Sequence, residues 1–416
     1  MSNKINIGII GLGNVGSAVA DNIKKNHKLI LENSGFDLCV KKVCDLRKIK
    51  SPYPLTSDPY NIINDPEIDI VVEAIGGVKP ALKLVLAALK QGKHIVTPNK
   101  ELIAKHMKEI MSVAKQQGVK VLFEAAVGGG IPIIQPLRES LAVNRLSEIF
   151  GIVNGTTNYI LTKMDQEGME FSVALKKAQE KGYAEPNPAA DIKGFDAAYK
   201  AVILTSVAFG AEVNLKDVYV EGITGITQED IQYAKDIGYV VKPLAIARMV
   251  EGQLDVRVHP ALVARTHPLA SVSENYNAIY VKGKPVGQVM FYGPGAGGGP
   301  TASAVISDIV KIAVGEDVGP SRLKSIRVRK IGEIKSRYYL RLQTLDRAGV
   351  LAGIAKAFAK QDVSIAAVMQ KETVGDVATI VILLHCVAEK NLRAALDSIN
   401  KLAIVKKVSS VIRIIS

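Results

Sequence analysis

Cysteine is scarce in this chain: Cys39, Cys44 and Cys386 are the only three among 416 residues. An odd number without a CxxC pair excludes a disulfide framework and a zinc ribbon, and leaves three reduced thiols. The six histidines contain neither HExxH nor a pair four residues apart, so no transition-metal site is expected from them. No apolar run approaches the ~20 residues of a membrane span. The longest, 201–210 and 377–387, fall well short. The opening MSNKINIGIIGLG turns into glycines and lacks a small-residue cleavage site, so it does not read as a signal peptide. A soluble, cytoplasmic protein with no membrane partner is expected.

What is present is an ordinary globular composition, 48% hydrophobic and 22% charged. At ~100–200 residues per domain the length implies two to four domains. The formal charge of +13 is unevenly placed. From Ser321 onward 18 Lys and Arg face 7 Asp and Glu, and 322–341 alone holds eight basic residues. A basic stretch can serve nucleic acid or an anionic surface. Here Tyr338 and Tyr339 are the only aromatics available for base stacking and no DNA-binding motif surrounds them, so a solvated linker and an exposed domain face are expected, with no nucleic-acid partner.

Strand and helix alternate at the start: strands at 4–10, 38–44, 68–73, 94–97 and 119–123, and helices at 14–25, 80–91 and 100–117. That rhythm predicts a parallel, doubly wound sheet. From about Gly130 the pattern changes. Helices at 173–181 and 196–208 precede strand-like runs at 256–258, 278–281 and 286–292, which predicts an inserted α+β domain. The GPGAGGG at 293–299 leads into a helix, 301–314, expected to return to the first sheet. Residues 316–336 read as a linker. Beyond it the order is strand 338–345, helix 350–360, strand 363–370, strand 377–386, helix 391–402, strand 408–415, a ferredoxin-like βαββαβ unit. The expected divisions are therefore 1–130 (with 301–315 returning to it), 131–300, the linker 316–336, and 337–416.

Gly11, Gly13 and Gly16 form GxGxxG between an apolar strand and a helix that begins at Asn14-Val15. In that context the first glycine allows a tight turn, the second lets backbone approach a pyrophosphate, and the third lets helix and strand pack closely. The bland alternative is a tight structural turn. The second strand ends at Asp45, with Arg47, Lys48 and Lys50 just beyond. Asp45 suits the free 2′-hydroxyl of NAD, whereas the cations suit the 2′-phosphate of NADP, so the signal is split. Lys100 follows a strand in TPNK and opens a helix, where a cation is electrostatically unfavourable; that misfit favours a role beside a cofactor over an ordinary first-turn lysine.

The segment Glu185-Pro-Asn-Pro-Ala-Ala-Asp191 leads to Asp196 and, four residues on, Lys200. Residues 195–204 are apolar on nearly every face, which predicts a buried helix. Buried charges are costly unless paired or functional. Three carboxylates near one lysine in an apolar wall therefore point to an active site, with a surface ion pair as the alternative.

At this point the chain resembles bacterial homoserine dehydrogenases over essentially its whole length. The resemblance is carried by GIIGLGNVG (8–16), VVEAIGG (71–77), TPNKELIA (97–104), EAAVGGGIPII (124–134), GIVNGTTNYILTKM (151–164), KGYAEPNPAADIKGFDAAYK (181–200) and GPGAGGGPTASAVISDI (293–309). LDRAGVLAGIAKAF (345–358) is similar to an ACT domain, a regulatory module of amino-acid pathway enzymes. The resemblance implies a Rossmann-type nucleotide domain, an inserted α+β catalytic and dimerisation domain, and a C-terminal ACT domain.

It also implies NAD(P)H-dependent interconversion of L-aspartate 4-semialdehyde and L-homoserine. Glu185 and Asp191 would pair with the substrate ammonium. Asp196 would bind substrate and set the charge state of Lys200, the leading acid–base residue, and Lys100 would be shared between cofactor and substrate. Gly76, Gly182 and Gly297 would lie close to cofactor or substrate. Carbonyls of Glu124, Val127, Gly129 and Ile131 would hold a monovalent cation such as Na+. The turn Asp346–Val350, with Gly349, would receive an amino-acid effector, expected to be threonine. A homodimer or homotetramer is implied. Asn187 and Ala189-Ala190 depart from positions more often charged, without touching this chemistry.

Overall fold

The computed structural model describes residues 3–315 and 323–415; residues 316–322 of the expected linker lie outside these. The chain divides into two compact units, Met1–Ile149 with Tyr199–Leu215 and Asn277–Ile326, and Phe150–Ala198 with Lys216–Tyr276 and Arg327–Ser416.

The first unit is built on six parallel strands. In spatial order they are Leu55–Thr56, Phe36–Cys44, Asn3–Ile10, Ile70–Glu73, His94–Val96 and Val121–Leu122. This is the doubly wound order, with its switch point beside the first strand. Ile7 and Ile9 on that strand are fully buried against Val19 and Ile23 of the helix Asn14–Lys25. The helix Gly298–Val314 packs Ala302, Val305 and Ile309 into the same core, so it belongs to the nucleotide sheet although 175 residues of sequence separate it from the last strand.

The second unit joins two parts of the sequence through one set of strands. Its order is Tyr239–Val250, Gln253–Ala264, Val405–Ile415, Lys335–Leu345, Val377–Ala388, Ile365–Val374. The last four, with helices Val350–Ala359 and Glu389–Ile399, form the expected βαββαβ layer over a core that includes Leu340, Ile354, Phe358 and Leu392. Its final strand pairs in parallel with Gln253–Ala264, matching Ala261 to Arg413 and Val263 to Ile415. Tyr339, Ile412 and Ile414 share a core with Tyr159, Ile160 and Ile231. These contacts cut across the expected divisions at 300 and 336.

The described part of the linker is likewise held down: Arg329 N–H donates to Leu254 O (2.7 Å) and Leu254 N–H to Arg327 O (2.9 Å). The basic run is partly spent internally. Arg341 is buried and bonded to Asp230 (2.8 Å), and Arg327 pairs with Glu333 (2.6 Å).

Three elements without a sequence-based expectation complete the frame: strand Arg145–Ile152, helix Gly155–Glu167 and strand Tyr239–Val250. Pro243 in the last of these faces Pro260 directly across the antiparallel pair. Such a pair can only occupy a non-hydrogen-bonded position, where neither proline removes a bond from the ladder between these two strands. Among the described residues no helix is long and apolar enough to cross a membrane.

Candidate active site

The nucleotide cradle follows from three glycines doing different things. Gly11 has φ +100°, and a Cβ there would meet the Ala74 carbonyl at 2.7 Å. A Cβ on Gly16 would lie 1.9 Å from the Gly11 carbonyl. Gly13, which precedes Asn14 and Val15 at the helix start, has open space before it, so backbone there is accessible to a phosphate.

Beside it lies a cavity of about 670 Å³, lined among others by Gly11, Gly13, Asp45, Arg47, Tyr60 and Lys83. That size suits a nucleotide portion. Leu46, 85% exposed, and Ile75, 41% exposed, stand at the same cavity as apolar surfaces that a nucleobase would cover. The residues present therefore fit a dinucleotide.

Asp45 and Arg47 do not stand as independent readers of the ribose. Asp45 Oδ1 accepts the main-chain N–H (2.9 Å) and Nε–H (2.9 Å) of Arg47; Oδ2 accepts Arg47 Nη2 (2.8 Å) and the Leu12 N–H (2.9 Å). With about four acceptor positions on a carboxylate, Asp45 is saturated. The Arg47 side chain beside it holds its carboxyl well below the usual carboxylate range. Arg47 itself remains exposed. Of the three cations after the second strand, Arg47 lines the cavity, joined by Lys83 from another segment.

Above the switch point, Glu73 is 1% exposed and organises two motif loops. Its carboxylate accepts the N–H groups of Ile75 (2.8 Å) and Gly76 (3.2 Å), and the Thr97 hydroxyl (2.6 Å). Gly76 takes φ +83°. Asn99 caps the helix Lys100–Gln116 through Leu102 N–H (3.1 Å) and donates to Gly77 O (2.7 Å). Lys100 is thereby fixed as the first residue of a helix at the carboxyl end of a strand. Glu73 and Asn99 were not expected from sequence; an acid inside VVEA and an Asn before a helix were the available signals.

The helix Phe195–Phe209 is buried over most of its length: Ala198, Ala201, Val202, Ile203 and Leu204 are at most 1% exposed. Asp196 and Lys200, one turn apart on it, are 5% and 8% exposed. Phe195 departs from the expected burial at 47% exposed.

Two of the three expected carboxylates are brought together, and the agent is Asn154. Its Nδ2 donates to Asp191 Oδ1 (2.7 Å) and Asp196 Oδ2 (2.9 Å). Glu185 stays on an exposed loop, tied by its main-chain carbonyl to Gln179 (3.2 Å). Gly182 begins that loop at φ +72°. The loop is anchored where the Thr156 hydroxyl donates to Tyr183 O.

The proposed cation loop is a tight main-chain turn. Gly128 and Gly129 have φ +74° and +57°, and a Cβ on Gly129 would lie 2.5 Å from the Gly295 carbonyl. Val127 N–H donates to Glu124 O (3.3 Å) and Ile131 N–H to Gly128 O (2.9 Å). The Glu124 carboxylate is committed to the N–H groups of Ile133, Ile134 and Gln135 (2.6–2.7 Å). Buried Asp308 accepts Glu124 N–H at 2.8 Å. Main-chain oxygens on a turn held by glycines are the donor type that a hard cation takes. The GPGAGGG segment that packs on this turn places Gly297 (φ +120°) before the helix Gly298–Val314.

In the C-terminal module Gly349 has φ +88°, with open space before it, and Val350 opens the next helix. Asp346 is bonded to Gln370 (3.3 Å) and its N–H to Asp376 O (3.0 Å).

The chain as a whole is similar to known proteins. The NAD-binding domain model of homoserine dehydrogenase matches residues 11–124, the homoserine dehydrogenase model 132–310 and the ACT model 338–404. Homoserine dehydrogenase of Synechocystis sp. is 44% identical over 99% of this chain and 100% of its own length. The crystal structure of a homoserine dehydrogenase from Thiobacillus denitrificans is similar with TM-score 0.95 and 40% identity, covering 100% of this chain and 99% of that one. A hyperthermophilic archaeal homoserine dehydrogenase mutant in complex with NADPH is similar with TM-score 0.66 and 30% identity over 76% of this chain and 99% of its own. At 40–44% identity over 99–100% of its length, the chain belongs to the homoserine dehydrogenase family of NAD(P)-dependent oxidoreductases.

Proposed function

We propose how this chain carries out the family reaction, the interconversion of L-aspartate 4-semialdehyde and L-homoserine in threonine and methionine biosynthesis. The observation that carries the reading is Asp196 and Lys200 one turn apart on a buried helix, with Asp196 linked to Asp191 through one amide. Asp191 and Glu185 bind the substrate ammonium. Asp196 holds substrate and sets the charge state of Lys200. Lys200 gives its proton to the carbonyl oxygen on reduction and receives it on oxidation, with Lys100 shared between cofactor and substrate. The bound nicotinamide cofactor supplies the hydride. Gly182 and Gly297 leave room for substrate and cofactor.

Gly11, Gly13, Asn14, Val15, Gly16 and Gly76 receive the dinucleotide. NADP is the preferred form and NAD is accepted. The saturated Asp45 supports this, because it has no acceptor to spare for a 2′-hydroxyl, while Arg47 is exposed at the cavity. Carbonyls of Glu124, Val127, Gly129 and Ile131 hold a monovalent cation such as Na+. The ACT module binds threonine at Asp346, Gly349 and Val350 and inhibits. The assembly is a homodimer or homotetramer; exposed Met290 and Tyr292 on the strand Gly287–Pro294 support a subunit contact. A cytoplasmic setting suits an enzyme that draws on reduced nicotinamide and keeps three thiols free.

The test is Lys200→Ala. General acid–base groups contribute ~10²–10⁴-fold, so kcat falls by about that range while NADPH binding, read by fluorescence titration, is retained. Near-normal turnover removes Lys200 from the mechanism.

A further inference from the structure

Asn154 is 6% exposed and every polar atom of its side chain is engaged. Oδ1 accepts the N–H (2.9 Å) and the hydroxyl (2.9 Å) of Thr157, which caps the helix Gly155–Glu167. Nδ2 spends its two N–H bonds on Asp191 and Asp196. The orientation of the amide follows from this chemistry. Turned over, it would aim its carbonyl at two carboxylates and its NH2 at an N–H. Nor can the side chain swing away. The cavity it lines, with Thr157, Asp191 and His259, is about 10 Å³, no larger than one water.

We propose that Asn154 is a positioning residue for the dehydrogenase reaction, holding Asp191 and Asp196 ionised and at a fixed separation, Asp191 to receive the substrate ammonium and Asp196 to hold the substrate beside Lys200. The inference rests on the reading of those two aspartates as substrate carboxylates. Two carboxylates brought together repel, and one of them then tends to keep its proton. Lys200, one turn from Asp196 on the same buried helix, bears on that carboxylate as well; a neutral donor shared between the two aspartates favours the charged form of both and, unlike a lysine, adds no positive charge to compete with the ammonium. Asparagine meets the requirement: two donors for the aspartates, and an acceptor that fixes the amide to a helix start. Serine or threonine has one donor. Aspartate has the acceptor and no donor.

Asn154→Asp separates the two halves of the side chain. Aspartate caps a helix about as well as asparagine, so the Thr157 bonds are kept and the enzyme folds, with a lowered urea midpoint, while both donations are lost and a third negative charge arrives. Removing hydrogen bonds to charged groups raises KM for homoserine roughly tenfold to a hundredfold at neutral pH. The aspartates' pKa values rise, so the acidic limb of the kcat/KM profile moves to higher pH, and raising the pH restores part of the activity. Asn154→Ser is the second variant. It keeps a cap, cannot reach the aspartates, raises KM similarly and moves the acidic limb less, since it brings no new charge.

Wild-type KM and an unmoved acidic limb in a folded Asn154→Asp or Asn154→Ser enzyme overturn the proposal. So does impairment confined to Asn154→Ala, which marks a helix cap and nothing more. Asp191→Asn and Asp196→Asn are measured alongside. If both keep the wild-type KM, the substrate reading of the aspartates fails and the proposal falls with it; if they lose affinity while Asn154→Asp does not, only the positioning role fails.

Discussion

Arg413 offers a sharp test of what holds the last strand in its core. It lies on the last strand, 2% exposed, and grips Glu389, itself 3% exposed, through Nη2 (2.6 Å) and Nε (3.0 Å). Nη1 reaches Glu221 (2.8 Å), and the guanidinium lies over the Tyr219 ring at 4.8 Å. Arg413→Met keeps the length of the side chain and removes the charge, leaving the Glu389 carboxylate to the Tyr338 hydroxyl (2.9 Å) and the more exposed Arg393 (3.0 Å). Breaking a buried pair on one side costs ~3–5 kcal/mol, mostly because the remaining charge is stranded.

The pH dependence has a definite sign. Burial alone pushes the Glu389 carboxyl up, and Arg413, with Tyr338 and Arg393, more than reverses that, leaving it below its ordinary value. The wild-type pair therefore stabilises above the unfolded carboxyl's pKa and loses that contribution as pH falls through the folded one. In Arg413→Met burial dominates, the pKa rises, and acidification relieves the penalty. The deficit between the two proteins is largest at neutral pH and shrinks toward acid. Urea unfolding followed by tyrosine fluorescence reads this cleanly in a chain without tryptophan. The double variant Arg413→Met/Glu389→Gln recovers a large part of the loss. A deficit under about 1 kcal/mol, or one that does not change with pH, refutes the reasoning.

Two further outcomes follow from the cofactor and effector readings. Arg47→Ala weakens NADP binding more than NAD binding, as measured by titration with both reduced cofactors; equal losses show that Arg47 does not contact the 2′-phosphate. Millimolar threonine inhibits the full chain, with a coupling of ~1–3 kcal/mol, and Gly349→Leu abolishes that inhibition because leucine is strained at φ +88°; inhibition that survives Gly349→Leu places the effector elsewhere.

The fold was legible in sequence where the determining interactions are local. GxGxxG between strand and helix specifies a turn whose glycines have steric reasons within a few residues, and the order βαββαβ is written in successive apolar runs. The strand Tyr239–Val250 was not legible, because both its faces are largely buried and no alternation marks it, and because Pro243 argues against a strand until Pro260 is seen opposite. Docking of the C-terminal module was also hidden: Arg341 and Arg413 read as surface charge in a basic segment, and their partners outside the module, Asp230 and Glu221, lie 111 and 192 residues away in sequence. For that reason a truncation at Ser336, natural from sequence alone, would strip Tyr339, Ile412 and Ile414 from a shared core. In the site, Asp191, Asp196 and Lys200 were legible as charges in an apolar wall. Asn154 was not, because its helix-capping half is a local signal and its carboxylate-holding half depends on Asp191 and Asp196, which lie 37 and 42 residues away.

The central claim is that this active site oxidises homoserine with a nicotinamide cofactor. The most direct measurement is the growth of reduced-nicotinamide absorbance when the purified chain is mixed with L-homoserine and either NADP or NAD. The account predicts homoserine-dependent reduction of cofactor, faster with NADP, lost in Lys200→Ala and reversed when aspartate 4-semialdehyde and NADPH are supplied. Folded, cofactor-binding protein that reduces neither cofactor with homoserine contradicts it.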